Sequence, residues 1–156
     1  MTDRVQFPLT LFIPIKPEEA ENLRAMFKSS DSAGGALAST GLVHFARVFV
    51  FEENNPMGIP SNIAAVITSY DGDFAAYVQA FVNNEGAAAV FNQLLAVADV
   101  PGASDLIPVT KNAQAFAALV KKFDVTNVAG EPWGEWFSAY PGATVQNIQN
   151  CLKGQG

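Results

Sequence analysis

Apolar positions along this chain change period several times, and the changes outline its elements. Leu9, Leu11, Phe12, Ile13 and Ile15 fill a first strand over 9–15, with Pro14 near its end, where a missing amide donor is tolerated. Pro17 then opens a helix at its first position. Glu18 and Glu19 set negative charge at the positive end of the helix dipole, and Ala20, Leu23 and Phe27 form the buried stripe. The small and flexible residues of 29–41 predict a long loop, a length that in compact domains often carries function. Strand two covers 42–52 and strand three 62–70, separated by the turn-rich segment 54–60, so together they make a long hairpin. Both strands are apolar on both faces, which requires a cover on each: helices on one, and another sheet, a partner subunit or a ligand on the other.

Beyond Tyr70 the period becomes helical. Asp73 caps a helix with the stripe Phe74, Tyr77, Val78 and Phe81. The pattern restarts after Gly86 with Ala87, Val90, Phe91, Leu94 and Leu95, as one bent helix or two joined at 83–86. Asn112 is the expected cap of a further helix that buries Phe116, Leu119, Val120 and Phe123 and places Lys121 and Lys122 near its negative end. A loop through 130–133 leads to 134–140, the best candidate for a fourth strand, which Pro141 and Gly142 stop. Thr144 caps a last helix with Val145, Ile148 and Leu152 inward and Gly154 past its end.

Strand, helix, two strands, helices, strand is the βαββαβ order of a ferredoxin-like α+β domain, here a single domain over 5–153 with an extra C-terminal helix. Its four antiparallel strands would carry helices on one face. The helix-free face is apolar, so it calls for a second such sheet or a barrel closed by dimerisation.

Composition narrows the partners. With 156 residues and 49% of them hydrophobic, the chain is long enough for one real core. A net charge of −6 with only nine scattered lysines and arginines argues against nucleic acid and against an anionic membrane surface. The single Cys151 closes no intrachain disulfide and builds no multi-cysteine zinc site. No apolar run reaches the ~20 residues a membrane helix needs, and the N-terminus lacks a signal-peptide pattern, so a cytoplasmic protein is the expectation. Phosphate-loop, dinucleotide and nucleophile-elbow motifs are all missing from the sequence.

Candidate chemistry gathers around His44, the only histidine, which stands in the apolar run 42–51. If strands two and three pair around the turn at 56–58, residues whose numbers sum to about 114 lie opposite each other. His44 then faces Tyr70, with Asp71 as a diagonal neighbour. A carboxylate or phenol there sets the imidazole tautomer and leaves the other nitrogen for a ligand; the plainer alternative is a satisfied structural histidine beside a turn aspartate. Arg47 falls on the opposite face of an unbulged strand. It binds a substrate carboxylate, holds Glu52, Asp71 or Asp73, or reaches solvent. Trp133, Trp136 and Tyr140 cluster around the fourth strand, as walls of an aromatic pocket or as core or dimer seam, and Glu131 and Glu135 flank them.

The pieces His44-Phe45-Ala46-Arg47, Tyr70-Asp71-Gly72-Asp73 with Tyr77, and Ser138-Ala139-Tyr140-Pro141-Gly142, together with the element order, resemble those of small peroxidase-related proteins of the dimeric α+β barrel superfamily. That superfamily includes cofactor-free monooxygenases, polyketide cyclases and lactone isomerases, and distantly the haem-binding dye-decolourising peroxidases. The resemblance implies a homodimer or higher homo-oligomer that takes a hydrophobic or aromatic small molecule into an apolar pocket. Catalytic residues would be His44, Tyr70 and Asp71, with Arg47, Tyr77, Trp133, Trp136 and Tyr140 against the substrate, for a cofactor-free oxidation, cyclisation or isomerisation. The alternatives are a haem protein with His44 as axial ligand, and a non-catalytic binding or assembly module.

Overall fold

A computed structural model of the chain describes residues 5–29, 31–128, 131–132 and 137–154. Three strands, β1 (Gln6–Pro14), β2 (Val43–Val50) and β3 (Ile63–Asp71), form an antiparallel sheet in the order β1-β3-β2. The helices are α1 (Ala20–Ser29), α2 (Asp31–Ser39), α3 (Phe74–Asn83), α4 (Glu85–Val97), α5 (Ala113–Phe123) and α6 (Val145–Lys153). A two-stranded hairpin pairs β4 (Asn127–Val128) with β5 (Glu131–Pro132). The fold is therefore α+β, and no helix among the described residues is long and apolar enough to cross a membrane.

Strand alternation sorts the sheet into two unlike faces. Leu9, Leu11 and Ile13 of β1 pair with Thr68, Val66 and Ala64 of β3, and Val48 and Val50 of β2 continue the same face. There the core closes over them with Leu23, Tyr77, Phe81, Phe91, Leu94 and Phe116 from the helices. Each such side chain contributes about 1.5–3 kcal/mol on full burial, and ring contacts add to it, a tilted one of Phe81 on Phe91 at 5.3 Å and an edge-on one of Phe91 on Phe116 at 5.1 Å. The opposite face carries Pro8, Thr10, Phe12, Ile67 and Ser69 with Phe45, Arg47 and Phe49, and Phe45 is 61% exposed. The apolar character read on both sides of β3 is matched by its burial, whereas the middle of β2 stays open.

The two sheet edges differ as well. Beside β1, Val125 N–H donates to the Thr10 carbonyl at 2.8 Å, and Lys16 and Asp99 bond across to Val97 and Pro14 at the other end. The outer edge of β2 has no such strand partner among the described residues.

Several expected elements come out differently. The loop anticipated over 29–41 is largely α2: Leu37 is buried, and α2 lies so close to α4 that a Cβ at Gly86 would stand 3.1 Å from the Ala36 Cβ. Gly34 and Gly35 lower the helix propensity there, but the buried contact with α4 offsets it. The pattern interrupted at Gly86 is two helices, because Asn84 leaves helical geometry and its side chain accepts the Ala87 N–H at 2.9 Å. Asp73 and Thr144 cap α3 and α6 as their sequence positions predict. Asn112 stands at the N-cap position of α5 as expected, but its side chain makes no capping bond among the described residues; its amide donates back to the Pro108 carbonyl at 3.1 Å. The expected fourth strand lies partly at 133–136, outside the described residues, and 137–140 is not strand. In α6 only Val145 is buried, while Ile148 is half exposed and Leu152 67% exposed, so the inward stripe predicted there has no cover within the described residues.

Candidate functional site

Ladder pairs from Phe45↔Ser69 to Val50↔Ala64 follow the register expected from the turn, but between Phe45 and Val43 it slips by one, so that Val43 faces Tyr70. His44 is the extra residue of this bulge. Bulges re-aim side chains, and this one separates His44 from Tyr70. His44 Nε2 instead meets Asp71 Oδ1 at 2.7 Å, with side chains only 10% and 6% exposed. The second carboxylate oxygen, Oδ2, accepts the Val145 N–H at 2.6 Å at the first turn of α6.

Gln6 faces Asp71 across the β1–β3 ladder and extends the polar cluster. Its amide nitrogen donates to the Tyr140 and Ala143 carbonyls at 2.8 and 2.7 Å, and its oxygen accepts from Ser138 Oγ at 2.8 Å. Val5 N–H adds a bond to the Pro141 carbonyl at 2.9 Å. Two side chains from two strands, Gln6 of β1 and Asp71 of β3, therefore pin 138–145 over one end of the helix-free face, and His44 of β2 joins them through Asp71. Gly72 makes this possible locally: with φ +81° it turns the chain from Asp71 into the Asp73 cap, a conformation costly for any residue with a Cβ.

The chemistry of the pair follows from donor counting. An ionised carboxylate only accepts, so an Nε2 held by Asp71 carries the proton and the neutral imidazole presents Nδ1 as its lone pair. Nδ1 makes no hydrogen bond within the described residues, and a metal or haem iron would have to be ligated there. Among the described residues no three His, Cys, Asp or Glu side chains gather as a metal site. Ser69, two residues before Asp71 on the same face, is 1% exposed, and its hydroxyl has no hydrogen-bond partner among the described residues.

Tyr70 and Tyr77 lie on the other side of the sheet. Their rings stack at 3.8 Å, Tyr77 O–H and Thr68 Oγ1 share a hydrogen bond of 2.6 Å, and both tyrosines belong to the buried core. Burial, with the negative charges of Asp124 and Asp73, pushes the Tyr70 phenol up to about 12, and burial raises Tyr77 further. Arg47 is exposed, its guanidinium 4.8 Å from the Phe49 ring, and pairs with none of the three carboxylates considered for it. Glu52 is bound by Lys28, Asp71 by His44, and Asp73 caps α3. Tyr140 is exposed; Trp133, Trp136 and Glu135 lie outside the described residues, as does the Glu131 side chain.

Sequence reading passed over Gln6, Ser69 and Arg24. For Gln6 nothing local signals a role, since its partners are more than 130 residues away. Ser69 was detectable only as a hydroxyl in step with Asp71 along a strand. Arg24 had a clear signal: it completes the i, i+3, i+4, i+7 stripe of Ala20, Leu23 and Phe27, and it is buried. Comparison with family models, curated proteins and solved structures finds no match to this chain.

Proposed function

We propose that this protein binds a hydrophobic or aromatic small molecule against the helix-free face of its sheet, where His44, oriented by Asp71, moves a proton. The observation that carries this reading is the His44–Asp71 contact of 2.7 Å with Nδ1 left unbonded among the described residues. A carboxylate that holds one nitrogen leaves the other as an oriented base, the arrangement proton transfer requires. The exposed Phe45 ring on that face supports a ligand with an apolar body. Removal of a proton beside a carbonyl or from a phenol begins an isomerisation, a cyclisation or a cofactor-free oxidation in which dioxygen is the oxidant.

The order β1-β3-β2, with Asp124 and Val125 bonded beside β1, supports a ferredoxin-like reading in which the fourth strand flanks β1. On this reading a second copy covers the open face and forms a cytoplasmic homodimer of the α+β barrel kind, with Phe45, Phe137 and Tyr140 as the apolar surface available to it. Sedimentation at micromolar concentration and native mass spectrometry of the purified protein test both parts. A dimer carrying a co-purified organic mass, lost in His44→Gln without loss of fold, is the expected result. A monomer with no ligand and an unfolded His44→Gln variant would assign the histidine to structure alone.

A further inference from the structure

A second set of charged groups lies beyond the far end of β2, at least about 20 Å from His44 at the rise of a strand. Arg24 of α1 is 6% exposed. Its Nη2 donates to the Phe51 and Ser61 carbonyls at 2.8 and 3.0 Å, tying together the two ends of the β2–β3 connection, and Nη1 pairs with Glu21. Nε is different: it is buried and makes no hydrogen bond among the described residues, although Glu52 Oε2 stands 3.4 Å away. Beside it a cleft of about 90 Å³ runs between α1 and the outer edge of β2, with Phe27, Val48 and Phe49 as apolar wall and Arg24, Lys28 and Glu52 as its charged end.

We infer that this cleft is a binding site for a small amphipathic monocarboxylate, whose carboxylate replaces that of Glu52 between Arg24 and Lys28. A buried guanidinium N–H without an acceptor leaves a strong donor unused, and a planar carboxylate is the group that best matches it. Glu52 is a loosely held occupant: its side chain is 60% exposed, its bond to Lys28 spans 3.0 Å between two exposed groups, and exposed ion pairs exchange readily. Lys28 holds the Glu52 carboxyl below its ordinary range, so an anion occupies the position at neutral pH. Charge count selects the ligand. Arg24 and Lys28 are balanced by Glu21 and Glu52, so one incoming negative charge preserves neutrality once Glu52 swings to solvent, whereas a dianion such as phosphate overcharges the site. The apolar wall selects for a hydrocarbon tail.

An ¹⁵N NMR titration with hexanoate, and with hexanol as the uncharged control, tests the site. Hexanoate should shift amides of 24–28 and 48–52 saturably and hexanol should not. Glu52→Gln should bind hexanoate at least fivefold more tightly, because the internal competitor is gone, and Lys28→Met at least fivefold more weakly; both positions are exposed, so the fold is expected to persist. Absence of saturable shifts, equal shifts with hexanol, or unchanged affinity in Glu52→Gln would overturn the assignment.

Discussion

Asp71 has two roles that two substitutions separate. Its carboxylate accepts from His44 Nε2 and from the Val145 N–H, both in buried surroundings. Asp71→Ala strands both donors, and each buried donor left without an acceptor costs about 1–3 kcal/mol, so the variant should lose about 4 kcal/mol. For a chain of this size that lowers Tm by about 8–16 °C. Asp71→Asn behaves otherwise. Its amide oxygen still accepts from Val145, while its NH₂ faces His44, which accepts at Nε2 only if the imidazole proton moves to Nδ1. Both bonds survive in neutral form, with a loss below about 1.5 kcal/mol, but Nδ1 turns from base to donor. Urea melts followed by circular dichroism give the stabilities, and imidazole ¹⁵N shifts give the tautomer directly, since the chain has one histidine. An Asp71→Ala variant within 1 kcal/mol of wild type, or an Asp71→Asn variant that keeps its proton on Nε2, would refute this account of the pair.

Other perturbations have equally definite outcomes. Arg24→Met removes a buried guanidinium that satisfies two carbonyls and should cost about 2–4 kcal/mol, whereas the exposed Arg47→Met should stay within about 1 kcal/mol; urea melts that rank them the other way contradict the burial described. Gly72→Ala should cost about 1–2 kcal/mol from backbone conformation alone, since φ is +81° and no atom lies within 4 Å of the added Cβ. At high pH, Tyr70 and Tyr77 stay neutral in the folded chain while their unfolded counterparts ionise near pH 10, so stability is complete below pH ~10 and declines above it. Each tyrosine removes about 1.4 kcal/mol per pH unit until its own folded pKa, about 12 for Tyr70, is reached. Tyr70→Phe should halve that slope, and an unchanged slope would show that the phenol is not protected.

What the sequence determined by itself was local. Periods of two and of three to four, with the caps Asp73 and Thr144, specify strands and helices because they depend on neighbours within one or two turns of chain. The hairpin register from Phe45 to Val50 follows from turn position for the same reason. Tertiary structure decided everything that depends on distant partners. Residues 31–39 become helix because Leu37 and Ala36 find α4, a gain no local propensity contains. The bulge at His44 moves the imidazole from Tyr70 to Asp71, a choice between two strand neighbours that alternation alone leaves open. The exposed Ile148 and Leu152 show the reverse case: an amphipathic stripe is legible in the chain, but what covers it is set by surfaces elsewhere. Gln6 and Asp71 meet because the antiparallel β1–β3 ladder sets them opposite each other, and both then hold 138–145 by hydrogen bonds between residues so far apart that they leave no mark in either local segment.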